Sequence, residues 1–171
     1  MGTEPSAMVT PVCVDDIAEE LDAMPDDARL YLNRQTGEIL VAPGHDLGII
    51  EEGLESEVEF EWEWEAEDIV KLHQIATTST WVRFPSKHDL GAWSIMELFS
   101  EQAPEPLSSR LEEAIHGRGA FRQFRTVLER AGMLNAWYDF KHEHIVGLAT
   151  EVLKGENIPF RRSRRRSGSR R

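Results

Sequence analysis

Arg29-Leu30-Tyr31-Leu32-Asn33, then Arg34-Gln35-Thr36-Gly37, then Glu38-Ile39-Leu40-Val41: the reading of this stretch decides the fold class. Two short apolar runs flank a polar segment that ends in glycine, which is the pattern of a β-hairpin. Gly37 can take the positive φ that a type I turn plus bulge requires. Pro43-Gly44 closes the second strand, and Trp81-Val82-Arg83-Phe84 before Pro85 reads as a third short strand. Beyond Pro85 the apolar spacing is helical. The expectation is a single α+β domain with a helical C-terminal half. In it, a small antiparallel sheet (hairpin plus a third short strand) packs with four to six helices.

The helices are read from caps and stripes. Asp16 followed by Glu19 resembles a capping box and starts a helix with Ile17, Leu21 and Met24 on one face, ended by Pro25. Glu51 to Asp68 holds ten carboxylates and no Lys or Arg. Glu57 to Glu65 alternates with period two, whereas Ile69, Leu72 and Ala76 sit at helical spacing. The favoured reading is a loop or short strand to about Phe60 and helix from near Trp62. Ser94 to Ser100 forms a helix with Ile95, Met96, Leu98 and Phe99 mostly buried. After Pro104-Glu105-Pro106, a second capping box at Ser109-x-x-Glu112 belongs to a helix carrying Leu107, Leu111 and Ile115, with Gly117 as its C′ residue. The next helix runs from about Gly119 to Ala131 and stops at Gly132. Asn135 caps the last, Ala136 to Lys154, striped by Trp137, Phe140, Ile145, Leu148 and Val152. Phe121, Phe124, Leu128, Trp137 and Phe140 are expected in one buried cluster.

Composition bounds the class. With 171 residues, 40% apolar content and five tryptophans, the chain can bury one core. Residues 1–13 read as a flexible leader, 14–160 as the domain and 161–171 as a disordered Arg/Ser-rich tail. The leader lacks a signal-peptide pattern, and no run approaches the roughly 18 apolar residues of a membrane span. With Cys13 the one cysteine, the expectation is a cytoplasmic protein with no membrane partner. The net charge of −12 is unevenly spread. Seven of the 19 basic residues lie between Arg161 and Arg171, leaving 12 against 31 acids, a net of −19, in the rest. Such a body repels nucleic acid. Arg161, Arg162, Arg164, Arg165, Arg166, Arg170 and Arg171 could instead take RNA or another polyanion, or lie unselected against the chain's own acids.

The run His116-Gly117-Arg118-Gly119-Ala120-Phe121-Arg122-Gln123-Phe124-Arg125 is the candidate site. His116, Arg118, Arg122 and Arg125, with Gly117 and Gly119, form a cationic corner between two helices that suits an anion or a partner's carboxylates. The competing reading clamps the corner to Glu112, Glu113 or the acidic segment. No catalytic set stands out. His142 and His144 lie about 200° apart on a helix and cannot share a metal. His144 and His73 read as structural histidines, and no phosphate-binding loop occurs. No metal or cofactor is expected. The function class is a non-enzymatic interaction or regulatory module with an unknown protein partner. The alternatives are a nucleic-acid-associated protein working through the tail, and an enzyme acting on a phosphorylated substrate with His116 as acid or base.

Tyr31-Leu32-Asn33-Arg34-Gln35-Thr36-Gly37-Glu38, Phe84-Pro85-Ser86-Lys87, Ser94 to Phe99, Ile115 to Phe124 and Trp137-Tyr138-Asp139-Phe140 occur in this order. Together they resemble the bacterial uncharacterised protein family 0158, over about Val14 to Phe160. The most specific piece is Gly117-Arg118-Gly119-Ala120-Phe121-Arg122-x-Phe124. The resemblance implies fold rather than activity, since that family carries none.

Overall fold

Asn33 makes the hairpin. Its Oδ1 accepts hydrogen bonds from the backbone N–H groups of Gln35 and Thr36, at 2.8 and 3.1 Å. Gly37 takes φ 78° and donates from its N–H to the Asn33 carbonyl at 2.8 Å, so the expected glycine turn is present. The computed structural model describes residues 11–163. In order, its elements are β1 (Val12–Cys13), α1 (Val14–Ala23), β2 (Ala28–Asn33), β3 (Ile39–Pro43), α2 (Gly44–Glu52), α3 (Ala66–Thr77) and β4 (Trp81–Arg83). There follow α4 (Lys87–Leu90), α5 (Ala92–Gln102), α6 (Leu107–Ile115), α7 (Ala120–Ala131), α8 (Leu134–Gly155) and β5 (Phe160–Arg161). The class is α+β, with a three-stranded antiparallel sheet in the order β3-β2-β4 and a helical C-terminal half.

The sheet is the middle layer. Register sets Leu30 against Val41 and Leu32 against both Ile39 and Val82. Because side chains alternate across a strand, Leu30, Leu32 and Val82 enter one core with α1, α5, α6, α7 and α8. Tyr31, Leu40, Ala42 and Trp81 enter a second core with Leu47 and Ile50 of α2 and Leu72 of α3. In the first core Phe99 meets Phe124, Trp137 and Phe140 edge-on at 6.3, 5.5 and 5.3 Å between centroids, and Phe124 meets Trp137 at 4.9 Å.

Several boundaries move. α1 begins at Val14, two residues before the expected cap, and Cys13 makes no side-chain cap. Asp15 therefore sits buried in its first turn. The nine-residue α2 is additional: Gly44 and Gly48 weaken its pattern, but Leu47 and Ile50 share a face buried in the second core, and Ile49 is buried as well. α3 starts at Ala66 rather than near Trp62, and the period-two alternation before it forms no strand. Ser109 lies inside α6, where its hydroxyl donates to Glu105. A capping box occurs instead at Ser86 and Asp89. Asn135 is likewise inside α8, whose cap position is Met133. At the α6–α7 corner Gly119, not Gly117, takes the left-handed conformation, at φ 62°. Leu98 and Phe121 are exposed, so Phe121 leaves the aromatic cluster expected for it. A first-turn side chain leans toward the helix N-terminus, and here it projects past the packed part of α7.

The two ends of the described chain pair with each other. β1 and β5 run parallel, with Val12 opposite Phe160 and Cys13 opposite Arg161. The domain thus reaches beyond the boundaries at 13 and 160: Cys13 and Arg161 are strand residues, and Arg162 and Ser163 hydrogen-bond to Asp15. Two-residue strands have no period to read, and their pairing depends on contacts some 148 residues apart in sequence. Arg164, Arg165, Arg166, Arg170 and Arg171 lie outside the described residues.

Candidate functional site

At the end of α6 the Trp93 indole N–H donates to the Ile115 carbonyl at 3.0 Å, and its ring meets the His116 ring edge-on at 5.7 Å. His116 Nδ1 lies 2.7 Å from the Glu112 carbonyl oxygen. A carbonyl only accepts, so Nδ1 carries a proton and donates. The chain then turns through Gly117 and Arg118, and Gly119 opens α7 with no side-chain cap on its first amides. Arg118 is exposed at this corner, and Arg122 and Arg125 follow on α7.

The arginines differ in their engagement. Arg125 Nε pairs with Glu129 across one helical turn at 3.1 Å. Arg118 and Arg122 make no ion pair among the described residues, although Glu112 and Glu113 stand at the end of the adjoining helix. Phe121, between them, is 62% exposed, and Trp93 is 37% exposed. The corner is a cationic surface with two aromatic side chains open to solvent.

Two buried carboxylates, Asp15 and Asp46, were not singled out by the sequence. Asp15 accepts from His142 Nε2 at 2.8 Å, Arg162 Nε at 2.9 Å, Arg162 Nη2 at 3.0 Å and the Ser163 N–H at 2.7 Å. Arg162 also pairs with Glu143. Burial pushes the Asp15 carboxyl up, but hydrogen bonds from Arg162, His142 and Ser163 together outweigh it and hold it well below the usual carboxylate range. Donating hydrogen bonds to the Asp15 and Glu143 carboxylates raises the Arg162 guanidinium in turn. Asp46, with no exposed surface, accepts from the Glu61 N–H at 2.6 Å, the Trp62 N–H at 3.0 Å and the Trp64 indole at 2.8 Å. His45 Nδ1 lies 3.2 Å from it. Burial opposes ionisation here as well, and the Glu61, Trp64, Trp62 and His45 hydrogen bonds reverse the effect and lower the Asp46 pKa.

Asp15 with His142 and Glu143, and Asp46 with His45 and Glu61, bring their ligand-type atoms within 4.8 Å of one another. In each set the carboxylate already serves protein donors, an arginine in the first and backbone amides in the second. The sequence signal that could have found them is an acid on the apolar face of a short helix, a position that needs a partner. His144 is half-buried on α8, while His73 is exposed and pairs with Glu55 at 2.9 Å instead of joining a core. An open cleft of about 520 Å³ lies between β4 and the end of α8, crossed by the Arg34–Glu156 ion pair at 3.3 Å. No helix among the described residues is long and apolar enough to cross a membrane. Comparison with protein-family models, curated proteins and solved structures yields no match to this chain.

Proposed function

We propose that this protein is a non-enzymatic interaction module that docks an anionic partner on the α6–α7 corner. The observation that carries the reading is the pair Arg118 and Arg122, exposed and without an acid partner among the described residues, although the chain holds 31 acids. Isolated surface ion pairs are worth about 0–1 kcal/mol, so an arginine near free glutamates gains little from pairing within the chain. Desolvated beneath a partner, beside exposed Phe121 and Trp93, the same groups contribute more, since aromatic residues and arginine dominate binding hot spots. The reading places the protein in the cytoplasm. Kinship with uncharacterised protein family 0158 is part of the proposal and adds no activity.

The nucleic-acid alternative rests on the C-terminal arginines. Arg162 is committed to Asp15 and Glu143, which removes one cation from that set. The phosphorylated-substrate alternative uses His116, whose Nδ1 donates to the Glu112 carbonyl. The test is fluorescence anisotropy with a labelled oligoglutamate against the full chain and Arg118→Ala plus Arg122→Ala. Losing two charge contacts should weaken binding about fivefold or more. Equal affinity for both proteins overturns the reading.

A further inference from the structure

The cationic corner has its chemical complement elsewhere on the same chain. Between α2 and α3 the acidic loop exposes Glu57, Glu59, Glu61, Glu63 and Glu65, none of them in an ion pair among the described residues. The loop is held in shape. Glu57 and Val58 each donate from N–H to the Leu54 carbonyl at 2.9 Å, while buried Asp46 grips Glu61, Trp62 and Trp64. Trp62 and Trp64 stack at 5.6 Å, and Phe60 and Trp64 pack on the second core. Its carboxylates are therefore displayed on a preorganised frame, which lowers the ordering entropy that binding must overcome. Val58, 37% exposed, stands between Glu57 and Glu59 as Phe121 stands between Arg118 and Arg122.

We propose that the Glu57–Val58–Glu59 edge of this loop docks on Arg118, Phe121 and Arg122 of a second copy, so that copies associate head to tail. This names the partner of the docking face and rests on that reading. The loop packs on the core with α2 and α3, and α7 packs on the core across the sheet, so one molecule presents the two surfaces on different layers. After pairing, one copy keeps a free corner and the other a free loop, so a contact between unlike surfaces leaves the assembly open to further addition.

Net charge sets the conditions. Each copy carries −12, which repels another copy over long range, whereas the docked charges meet at contact. At about 0.01 M salt the screening length is about 30 Å and repulsion dominates. At about 0.1 M it is about 10 Å, which screens the bulk of the molecule but not contact pairs, and at about 1 M it falls to about 3 Å and weakens those too. Association therefore peaks at intermediate salt, unlike apolar assembly, which high salt favours.

Sedimentation velocity of the full chain across this salt range tests the proposal. Wild type should associate most near 0.1 M. Arg118→Glu plus Arg122→Glu should be monomeric there, as should Glu57→Lys plus Glu59→Lys, and an equal mixture of the two should associate again because both contacts are then complementary. Association by the arginine variant alone overturns the proposal and points to another cationic surface. A wild type that is monomeric at every salt also overturns it. A labelled peptide spanning residues 55–64 separates the two readings. Binding to wild type but not to the arginine variant, with wild type monomeric, sinks self-association and keeps the docking face. No binding to either, with wild type monomeric at every salt, removes both.

Discussion

Asp15 shows how one residue joins distant parts of the chain. Its carboxylate is buried in the first turn of α1, and its four hydrogen bonds reach α8 and the segment after β5. Its folded pKa is lowered, so its contribution to stability is fully present above the unfolded value of about 3.9 and is lost as pH falls through the folded value. Asp15→Asn should cost about 1.5–3 kcal/mol at neutral pH, the range for hydrogen bonds to a charged group. The same change should flatten the fall in urea midpoint between about pH 4 and pH 2, leaving the part due to Asp46, whose pKa is lowered in the same direction. An unchanged acid limb in Asp15→Asn would assign that pH dependence to other carboxylates. Arg162 was legible only as one of seven tail arginines, because nothing local marks which arginine will find a buried acid 147 residues away.

At the scale of elements, α7 separates burial from mere apolarity. Phe124 is buried among Phe99 and Trp137, whereas Phe121, one turn earlier, is exposed. Phe124→Ala should cost about 3–5 kcal/mol by denaturant titration. Phe121→Ala should stay within about 0.5 kcal/mol, the usual limit for a surface change, while weakening partner binding. Equal stability losses in the two variants would contradict the packing described. The acidic loop behaves as an element without being a helix or strand. Asp46→Ala removes the acceptor of two backbone amides, and hydrogen exchange at Glu61 and Trp62 should accelerate well beyond that at Leu72 in α3. The period-two run failed as a strand because alternation supplies a face, not a partner. The sheet ends at β3 and β4, and the loop's Glu61 and Trp62 amides donate to Asp46 instead of to a strand edge.

For the whole molecule, closure between the two ends of the described segment is the feature with measurable weight. β1, β5 and the Arg162 contacts tie residues 12–15 to residues 160–163. Truncation after Phe160 should therefore melt lower than truncation after Ser163, by about 4–10 °C if about 1.5–3 kcal/mol of charged hydrogen bonding is lost. The difference between these two proteins reports on residues 161–163 alone. Equal melting temperatures would show that the Arg162 and Ser163 contacts to Asp15 add nothing to stability.

Local pattern was enough wherever the deciding physics is local. Gly37 supplies a positive φ, Asn33 supplies a turn acceptor, and Leu111, Ile115, Phe124 and Leu128 recur at helical spacing, so hairpin, helices and fold class could be read from residues a few positions apart. The cationic corner was legible for the same reason, since its members lie within ten residues. Tertiary structure alone decided which acids are buried, because Asp15 and Asp46 look like any of the 31 acids until the chain brings donors to them. It also decided that Arg162 pairs with Asp15 and Glu143 while Arg118 and Arg122 make no ion pair among the described residues. Charge pairing depends on which surfaces folding brings within a few ångströms, and a one-dimensional spacing carries no such distance.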